Sequence, residues 1–243
     1  THPLTGERIS DMQNREHQAA YKQVPDSPEF QLVRARIRAL QERPADAVKD
    51  LQALVLDKKY PSEAAAHYGL AVALGRANDW AGAEREIGAA KKLKANAPMV
   101  DRLLAEARLG QGDIGGGLAL YRNLMARYPL NQSLIYGYGA ALVTHRRFAE
   151  SLAFAENQLL NAPQDVRLHK LKAESYAGLG RRAPQHRALA EVFALQGQTG
   201  AAVEQLNLAQ RAGDGDFYEM SAIDARLREL KQRLVEEAKE KRN

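Results

Sequence analysis

Apolar residues along this chain follow a pattern that recurs about every 34 residues. Prolines at positions 61, 98, 129 and 163 mark the boundaries between its copies. Between successive prolines, an apolar segment with helical periodicity is followed by a short turn and a second helical segment. The turns are Asn78-Asp79-Trp80, Gly112-Asp113-Ile114, Arg146-Arg147-Phe148 and Gly180-Arg181-Arg182. The pattern therefore predicts an all-α chain built from consecutive helix–turn–helix units.

Small residues keep the same spacing within these units. In the first helices they are Ala71, Ala105, Gly139 and Ala173, which are 34 residues apart each time. In the second helices they are Ala83, Gly117 and Ser151, each three positions after the apolar residue of the turn. Antiparallel helices approach closely only where a side chain is small, and stacked units repeat that contact. We therefore expect these residues at close helix crossings.

A 34-residue helix–turn–helix unit with these small residues, and with proline near its end, resembles the tetratricopeptide repeat. Residues 63–163 contain three good copies, and residues 165–196 match in their first helix. Residues 28–61 form a looser copy, with Arg38 where an aromatic residue is usual. The resemblance implies a helical solenoid, a right-handed superhelix of antiparallel helix pairs with capping helices. It does not imply one function, because such repeats serve many tasks.

The chain divides into three parts on this basis. Residues 1–27 are a junction segment with a leading helix over 5–24, residues 28–197 hold four to five repeats, and residues 198–243 are capping helices. The last helix is expected to start at Ser221, in a sequence that resembles a capping box. Its apolar residues are Ile223, Leu227, Leu230 and Leu234. We expect this face to pack on the end of the stack, and the alternative is an exposed seam for self-association or another domain.

Composition and charge narrow the classes of protein that remain. The chain has 243 residues, a net charge of +5 and no cysteine, which excludes disulfides, zinc ribbons and thiol catalysis. Its longest apolar stretch, residues 134–143, is shorter than the roughly 18 residues that a membrane-spanning helix needs. The basic pairs Lys91-Lys92 and Arg146-Arg147 lie at a helix end and a turn rather than in a stripe. We therefore expect no membrane span and no nucleic-acid partner, with a nucleic-acid scaffold as a minor alternative.

Motifs for catalysis and phosphate binding are absent from the sequence. There is no His-Glu-x-x-His, no Gly-x-Ser-x-Gly, and no Gly-Lys-Ser/Thr after the glycines near Gly112. His67 and His169 are 102 residues apart, three repeat lengths, and His186 fits the same position in an overlapping copy. We expect these histidines to be structural, and we expect this chain to have no enzymatic activity and no cofactor of its own.

With no motif for catalysis or phosphate binding, the candidate functional feature is a protein-binding surface. In the tetratricopeptide architecture, the first helices line a concave groove. The repeat register places the following residues there: Arg36, Tyr68, Arg76, Arg102, Glu106, Tyr136, Lys170 and Glu174. Tyrosines and charges of both signs suit an extended peptide or an exposed protein segment. The alternative is a solvated inner face that binds nothing.

The two ends of the chain carry a closer resemblance. The start reads Thr1-His2-Pro3-Leu4-Thr5 and then Arg8-Ile9, and the end reads Asp216-Phe217-Tyr218, then Ser221, then Ile223-Asp224-Ala225-Arg226-Leu227. The first phrase resembles the junction after the catalytic domain in HtpX-like zinc metallopeptidases. The second resembles the terminus of that family's periplasmic branch, the beta-barrel assembly-enhancing (BepA-like) proteases, which carry tetratricopeptide repeats.

This second resemblance implies a parent protein that is a periplasmic zinc protease and chaperone acting on outer-membrane proteins. The chain, which has no initiator methionine, is then expected to be the half that docks substrates and assembly machinery, without the zinc-binding helix. His2 is a candidate removable zinc ligand in that parent, or else a tether residue. An independent tetratricopeptide scaffold in another envelope or cytoplasmic complex remains the alternative.

Overall fold

The computed structural model describes residues 26–240, together with residues 6, 8–10 and 12 near the amino terminus. Residues 26–240 form twelve α-helices and no strand. The helices are α1 (Pro28–Gln41), α2 (Pro44–Leu56), α3 (Glu63–Arg76), α4 (Trp80–Lys92), α5 (Pro98–Gly110), α6 (Ile114–Arg127), α7 (Gln132–Thr144), α8 (Phe148–Asn161), α9 (Val166–Gly178), α10 (Arg182–Leu195), α11 (Thr199–Arg211) and α12 (Phe217–Glu240). Residues 6, 8–10 and 12 are also helical, whereas His2 and most of the predicted leading helix lie outside the described residues.

The helices pack as a linear array of pairs. The pairs α1/α2, α3/α4, α5/α6, α7/α8 and α9/α10 are each in contact across a short turn. The first helix of each pair also contacts the first helix of the next, in the order α1, α3, α5, α7, α9. Contacts that reach only the neighbouring units define a solenoid. The predicted all-α solenoid is therefore confirmed.

Each of the four predicted turns ends its first helix with one left-handed residue. These residues are Asn78, Gly112, Arg146 and Gly180, with φ of 61°, 88°, 57° and 73°. The N–H of the following residue then donates to the carbonyl five positions back, for example Asp79 to Leu74 and Arg147 to Leu142, at 2.9 and 2.8 Å. This geometry is that of the Schellman motif, which satisfies carbonyls at a helix end. It explains why the turns recur at one spacing.

The small residues lie at close helix crossings, as predicted. Ala71, Ala83, Ala105 and Ser151 are fully buried. A Cβ atom on Gly117 would lie 2.5 Å from Cγ of Leu109, and one on Gly139 would lie 2.4 Å from Cδ2 of Leu171. A side chain at Gly117 would therefore press on Leu109 and on the α5 backbone, whereas one at Gly139 would force Leu171 to move.

Helix α10 belongs to two overlapping pairs. It contacts α9 before it and α11 after it, across a turn in which Gly197 has a φ of 74°. His186 Nδ1 of α10 lies 2.9 Å from Oε1 of Gln205 in α11, as His67 Nδ1 of α3 lies 2.6 Å from Oε2 of Glu86 in α4. Both contacts join residues 19 apart, so α10 and α11 share the register of α3 and α4. The predicted boundary at residue 197 falls within this turn.

The carboxyl-terminal helix differs from the sequence expectation in where it starts. It begins at Phe217 rather than Ser221, because the Asp216 carboxylate accepts a hydrogen bond from the N–H of Glu219 at 2.8 Å. Ser221 lies within the helix, so the predicted capping box is wrong. The expected packing holds for three of four apolar residues: Ile223, Leu227 and Leu230 are buried against α10 and α11, and Leu234 is 38% exposed.

Candidate protein-binding groove

The eight candidate residues all lie on α1, α3, α5, α7 and α9, and their common surface is called here the first-helix face. Their exposure differs along it. Lys170 and Glu174 are exposed, whereas Tyr68 is fully buried. The other five are half-buried: Arg36, Arg76, Arg102, Glu106 and Tyr136.

At the amino-terminal end of this face, the candidate residues bind one another and the backbone. Arg36 Nη1 donates to the Tyr68 hydroxyl at 3.3 Å, and burial raises the pKa of that hydroxyl. Arg76 Nη1 donates to the carbonyls of Ala39 and Glu42, at 2.5 and 2.9 Å. These contacts tie α1 to α3. The expectation that Tyr68 faces a partner is wrong, since its ring fills the core between the helices.

At the centre of the face, an ion pair and a tyrosine form one network. Arg102 Nη2 lies 2.7 Å from the Glu106 carboxylate, and Arg102 Nη1 donates to Ser133 of α7 at 2.6 Å. The Tyr121 hydroxyl of α6 donates to the same carboxylate at 3.3 Å. Burial alone would lower the pKa of Arg102, but Glu106 and Tyr121 raise it above its ordinary value. Burial, and then Glu106, raise the pKa of Tyr121 to about 12, so this group keeps its proton at neutral pH.

Beside this network, a cavity of about 380 Å³ opens between α5, α6 and α7; it is called here the central cavity. Ligand pockets commonly have volumes of about 300–1,000 Å³. The lining residues are Trp80, Arg102, Glu106, Leu109, Gly110, Tyr121, Gly137, Ala140, Ala141, Thr144 and His145. The polar groups of this lining are the paired Arg102 and Glu106, the Tyr121 and Thr144 hydroxyls, the His145 imidazole and the Trp80 indole N–H. The rest of the lining is apolar.

Glycines place the two aromatic rings of the central cavity. A Cβ atom on Gly110 would lie 2.4 Å from the Trp80 ring, so the indole rests directly on the α5 backbone. A Cβ atom on Gly137 would lie 2.8 Å from the Tyr121 hydroxyl oxygen. The absence of side chains at these two positions therefore leaves room both for the rings and for the space between them.

A second, smaller cavity of about 160 Å³ lies further along the face, between α7 and α9; it is called here the distal cavity. It brings together three candidate residues, Tyr136, Lys170 and Glu174, with Arg167, Ala140 and Leu171. The Tyr136 hydroxyl donates to Asp165 at 2.6 Å, which raises the pKa of the tyrosine, and Arg167 lies 4.9 Å above its ring. Ala140 lines both cavities, so they are adjacent.

The sequence interpretation missed the residues that shape these cavities, chiefly Trp80, Tyr121 and Ala140. Ala140 follows Glu106 by 34 residues and precedes Glu174 by 34, so the repeat register alone places it on the first-helix face. The sequence alone does not mark it as a candidate, because an alanine has no polar, charged or aromatic group. Its small size leaves both cavities open.

His67, His169 and His186 each have a partner within the fold, as predicted. Besides the contacts of His67 and His186, Nε2 of His169 lies 2.8 Å from the carbonyl oxygen of Pro163. In the part of the chain that the structure describes, no three His, Asp or Glu side chains are grouped so that they could hold a metal ion. The described helices also include none with the length and apolar character of a membrane span.

Comparison with known proteins gives one curated relative that covers most of the chain. The beta-barrel assembly-enhancing protease of Yersinia pestis is 28% identical over 95% of this chain and 48% of its own length. The chain thus spans about half the length of that relative. Among solved structures, MamA of Desulfovibrio magneticus RS-1 superposes with a TM-score of 0.48 at 17% identity, over 70% of this chain and 95% of MamA. YrrB, described as a tetratricopeptide repeat protein with an unusual peptide-binding site, gives 0.47 at 14% identity, over 83% of this chain and 97% of YrrB.

The tetratricopeptide repeat family model matches residues 41–98 and 102–166, which together make up half of the chain. These ranges include α3 to α8, whose turns and small residues carry the 34-residue register. By sequence and by fold, this chain belongs to the tetratricopeptide repeat family.

Proposed function

We propose that this chain is the protein-docking part of a periplasmic zinc metalloprotease and chaperone that acts in outer-membrane protein assembly and quality control. The observation that carries the proposal is the 28% identity to a beta-barrel assembly-enhancing protease over 95% of this chain. An alignment of that extent reaches beyond the repeats predicted over residues 28–197. The chain itself has no catalytic role in this proposal, and zinc is held elsewhere in the parent protein.

The first-helix face is the proposed docking surface. Its amino-terminal candidates are engaged in tying α1 to α3, so the open part is the central and distal cavities. These cavities combine aromatic rings, small apolar residues and charged side chains, which are the groups that commonly anchor a bound protein segment. The proposed ligands are extended segments of outer-membrane proteins or of their assembly machinery.

The gene sequence upstream of Thr1 tests the proposed parent. A signal peptide followed by His-Glu-x-x-His supports the protease. A start codon close to Thr1 contradicts it and favours an independent tetratricopeptide scaffold.

A binding assay tests the docking role separately. The purified chain is mixed with an unfolded outer-membrane β-barrel polypeptide in low denaturant, and complexes are captured by chemical cross-linking. We expect cross-linking that saturates with polypeptide concentration. The matched control is an unfolded cytoplasmic protein of similar length, and equal capture of both would contradict specific docking.

His2 lies outside the described residues, and its assignment as a zinc ligand of the parent stays a prediction. His2→Ala in the complete protein should change zinc affinity and the rate of proteolysis. If neither changes, His2 is a tether residue only.

A further inference from the structure

We propose that the central and distal cavities together bind two side chains of one extended segment. The central cavity takes a large apolar side chain, and the distal cavity takes an acidic side chain two positions away. This inference rests on the proposed docking role of the first-helix face. It adds the chemical class of the ligand, which that role alone does not specify.

The central cavity suits an uncharged occupant. Its only described ions, Arg102 and Glu106, neutralise each other at 2.7 Å, and Arg102 is held further by Ser133. The remaining wall includes two aromatic rings, from Trp80 and Tyr121, with glycine and alanine between them. A charged side chain entering this space would find both ions already paired and would gain no ion-pair partner of its own. An aromatic or branched aliphatic side chain would instead bury apolar surface, which is favourable.

The distal cavity has the opposite character, because its cations lack carboxylate partners. Within residues 26–240, neither Arg167 nor Lys170 forms an ion pair; Arg167 stacks on Tyr136, and Lys170 is exposed. Asp165, the nearest carboxylate to Tyr136, accepts hydrogen bonds from that tyrosine and from the N–H groups of Arg167 and Leu168. Two cations face one unpaired carboxylate, Glu174, so an acidic ligand side chain complements this cavity.

The spacing between the two side chains follows from the shared wall. Ala140 lines both cavities, so their occupants are neighbours. In an extended peptide, side chains at positions i and i+2 point to the same side and are roughly 7 Å apart. Adjacent residues point to opposite sides, so i and i+2 is the shortest spacing at which one extended segment can place side chains in both cavities.

Short labelled peptides test this ligand class. The probes are acetyl-Ser-Gly-Phe-Ser-Glu-Gly-Ser-amide and the same peptide with Phe and Glu exchanged, each carrying fluorescein, titrated with the complete 243-residue chain. One of the two orders should bind at least tenfold more tightly than its Phe→Ala and its Glu→Lys versions. Trp80 is the single tryptophan of the chain and lines the central cavity, so its emission should shift on binding of the unlabelled Phe peptide.

Two variants locate the site. Ala140→Leu fills the wall between the cavities at an exposed position, and it should weaken binding at least tenfold without lowering the melting temperature. The matched control is Ala53→Leu, an exposed alanine of α2 outside both cavities, which should bind like the original chain. Lys170→Glu should reverse the charge preference, so that the peptide with lysine in place of glutamate binds more tightly than the original peptide.

The outcomes separate this inference from the proposed function. Equal affinities for the Phe and Ala peptides, or unchanged binding by Ala140→Leu, would overturn the two-cavity site. If the chain still captures the unfolded β-barrel polypeptide in that case, docking stands and only its location is wrong. If the Phe and Glu peptide binds as expected but no β-barrel polypeptide is captured, the site stands and the proposed partner class is wrong.

Discussion

Gly117→Ala is the sharpest test of the close helix crossings, because it adds one carbon atom at a position where the structure leaves no room. Gly117 lies in α6 and packs against α5. An ideal Cβ atom there would lie 2.5 Å from Cγ of Leu109, 2.8 Å from its Cδ2, and 3.0 Å from the carbonyl oxygen of Ala105. Carbon atoms in contact prefer a separation of about 3.5–4.0 Å.

The expected cost follows from which atoms are in the way. Cγ of Leu109 is the branch point of a side chain that is only 8% exposed, and the Ala105 oxygen belongs to the α5 backbone. Cγ moves only if the packed Leu109 side chain changes its χ1 rotamer, and the backbone oxygen cannot rotate at all, so either Leu109 repacks or α6 moves away from α5. Overpacking of this kind costs about 1–3 kcal/mol. Replacing glycine by alanine within a helix returns about 1 kcal/mol. We therefore expect Gly117→Ala to lower the free energy of unfolding by up to about 2 kcal/mol.

Gly88→Ala is the matched control, since it makes the same chemical change in α4 at an exposed position. A Cβ atom on Gly88 would meet nothing within 4 Å, so only the gain in helix propensity of about 1 kcal/mol remains. Thermal unfolding followed by circular dichroism measures both variants, and for a chain of this size 1 kcal/mol corresponds to about 2–4 °C. Gly88→Ala should raise the melting temperature and Gly117→Ala should lower it. Equal increases in the two variants would refute the close crossing at Gly117.

Three further predictions concern turns, caps and the first-helix face. Arg146→Gly relieves a left-handed φ of 57° and should raise stability by about 0.5–1 kcal/mol in urea unfolding, whereas Gly112→Ala, at a φ of 88°, should lower it. The Asp214 carboxylate accepts hydrogen bonds from two N–H groups at the start of α10, and these bonds outweigh its burial and lower its pKa. At pH values above the ordinary pKa of 3.8, Asp214→Ala should therefore show its full reduction in melting temperature. Below that pH, the difference from the original chain should shrink as Asp214 becomes protonated. A difference that does not change with pH would contradict the cap. Arg76→Ala removes the donor to two carbonyls of the first pair and should cost about 1–2 kcal/mol; a loss of peptide binding at unchanged melting temperature would instead assign Arg76 to docking.

The repeat architecture could be predicted from the sequence because its physical causes are local. A left-handed residue followed by a capping aspartate ends one helix and starts the next, as at Asn78-Asp79 and Gly112-Asp113. The small residues then fix which faces meet. Both signals lie within a few residues of the structure that they determine, so the 34-residue spacing was enough to place α3 to α9.

The candidate site was less predictable, because exposure depends on neighbouring repeats. Tyr68 shares a register position with Arg102, Tyr136 and Lys170, at intervals of 34 residues. The structure nevertheless buries Tyr68 against α1 and leaves Lys170 exposed. The difference arises from what lies opposite in the adjacent helix, which spacing along the chain does not encode. The start of α12 was misplaced for a related reason: Asp216 and Ser221 are both good capping residues, and packing on α10 and α11 extends the helix to the earlier one.

The cavities of this solenoid arise from positions where one repeat differs from its neighbours, not from the residues that all repeats share. Glu106 and Glu174 occupy one row of the first-helix face, and Ala140 stands between them where a third long side chain would close the groove. Gly137, one turn earlier, leaves space for the Tyr121 hydroxyl in the same region. Two small residues on one helix therefore open a cavity, and the type of either residue alone does not predict it. A long side chain at position 140 should therefore weaken the proposed binding at least tenfold without harming the fold, because Ala140 is exposed and the buried crossing of the same helix lies at Gly139.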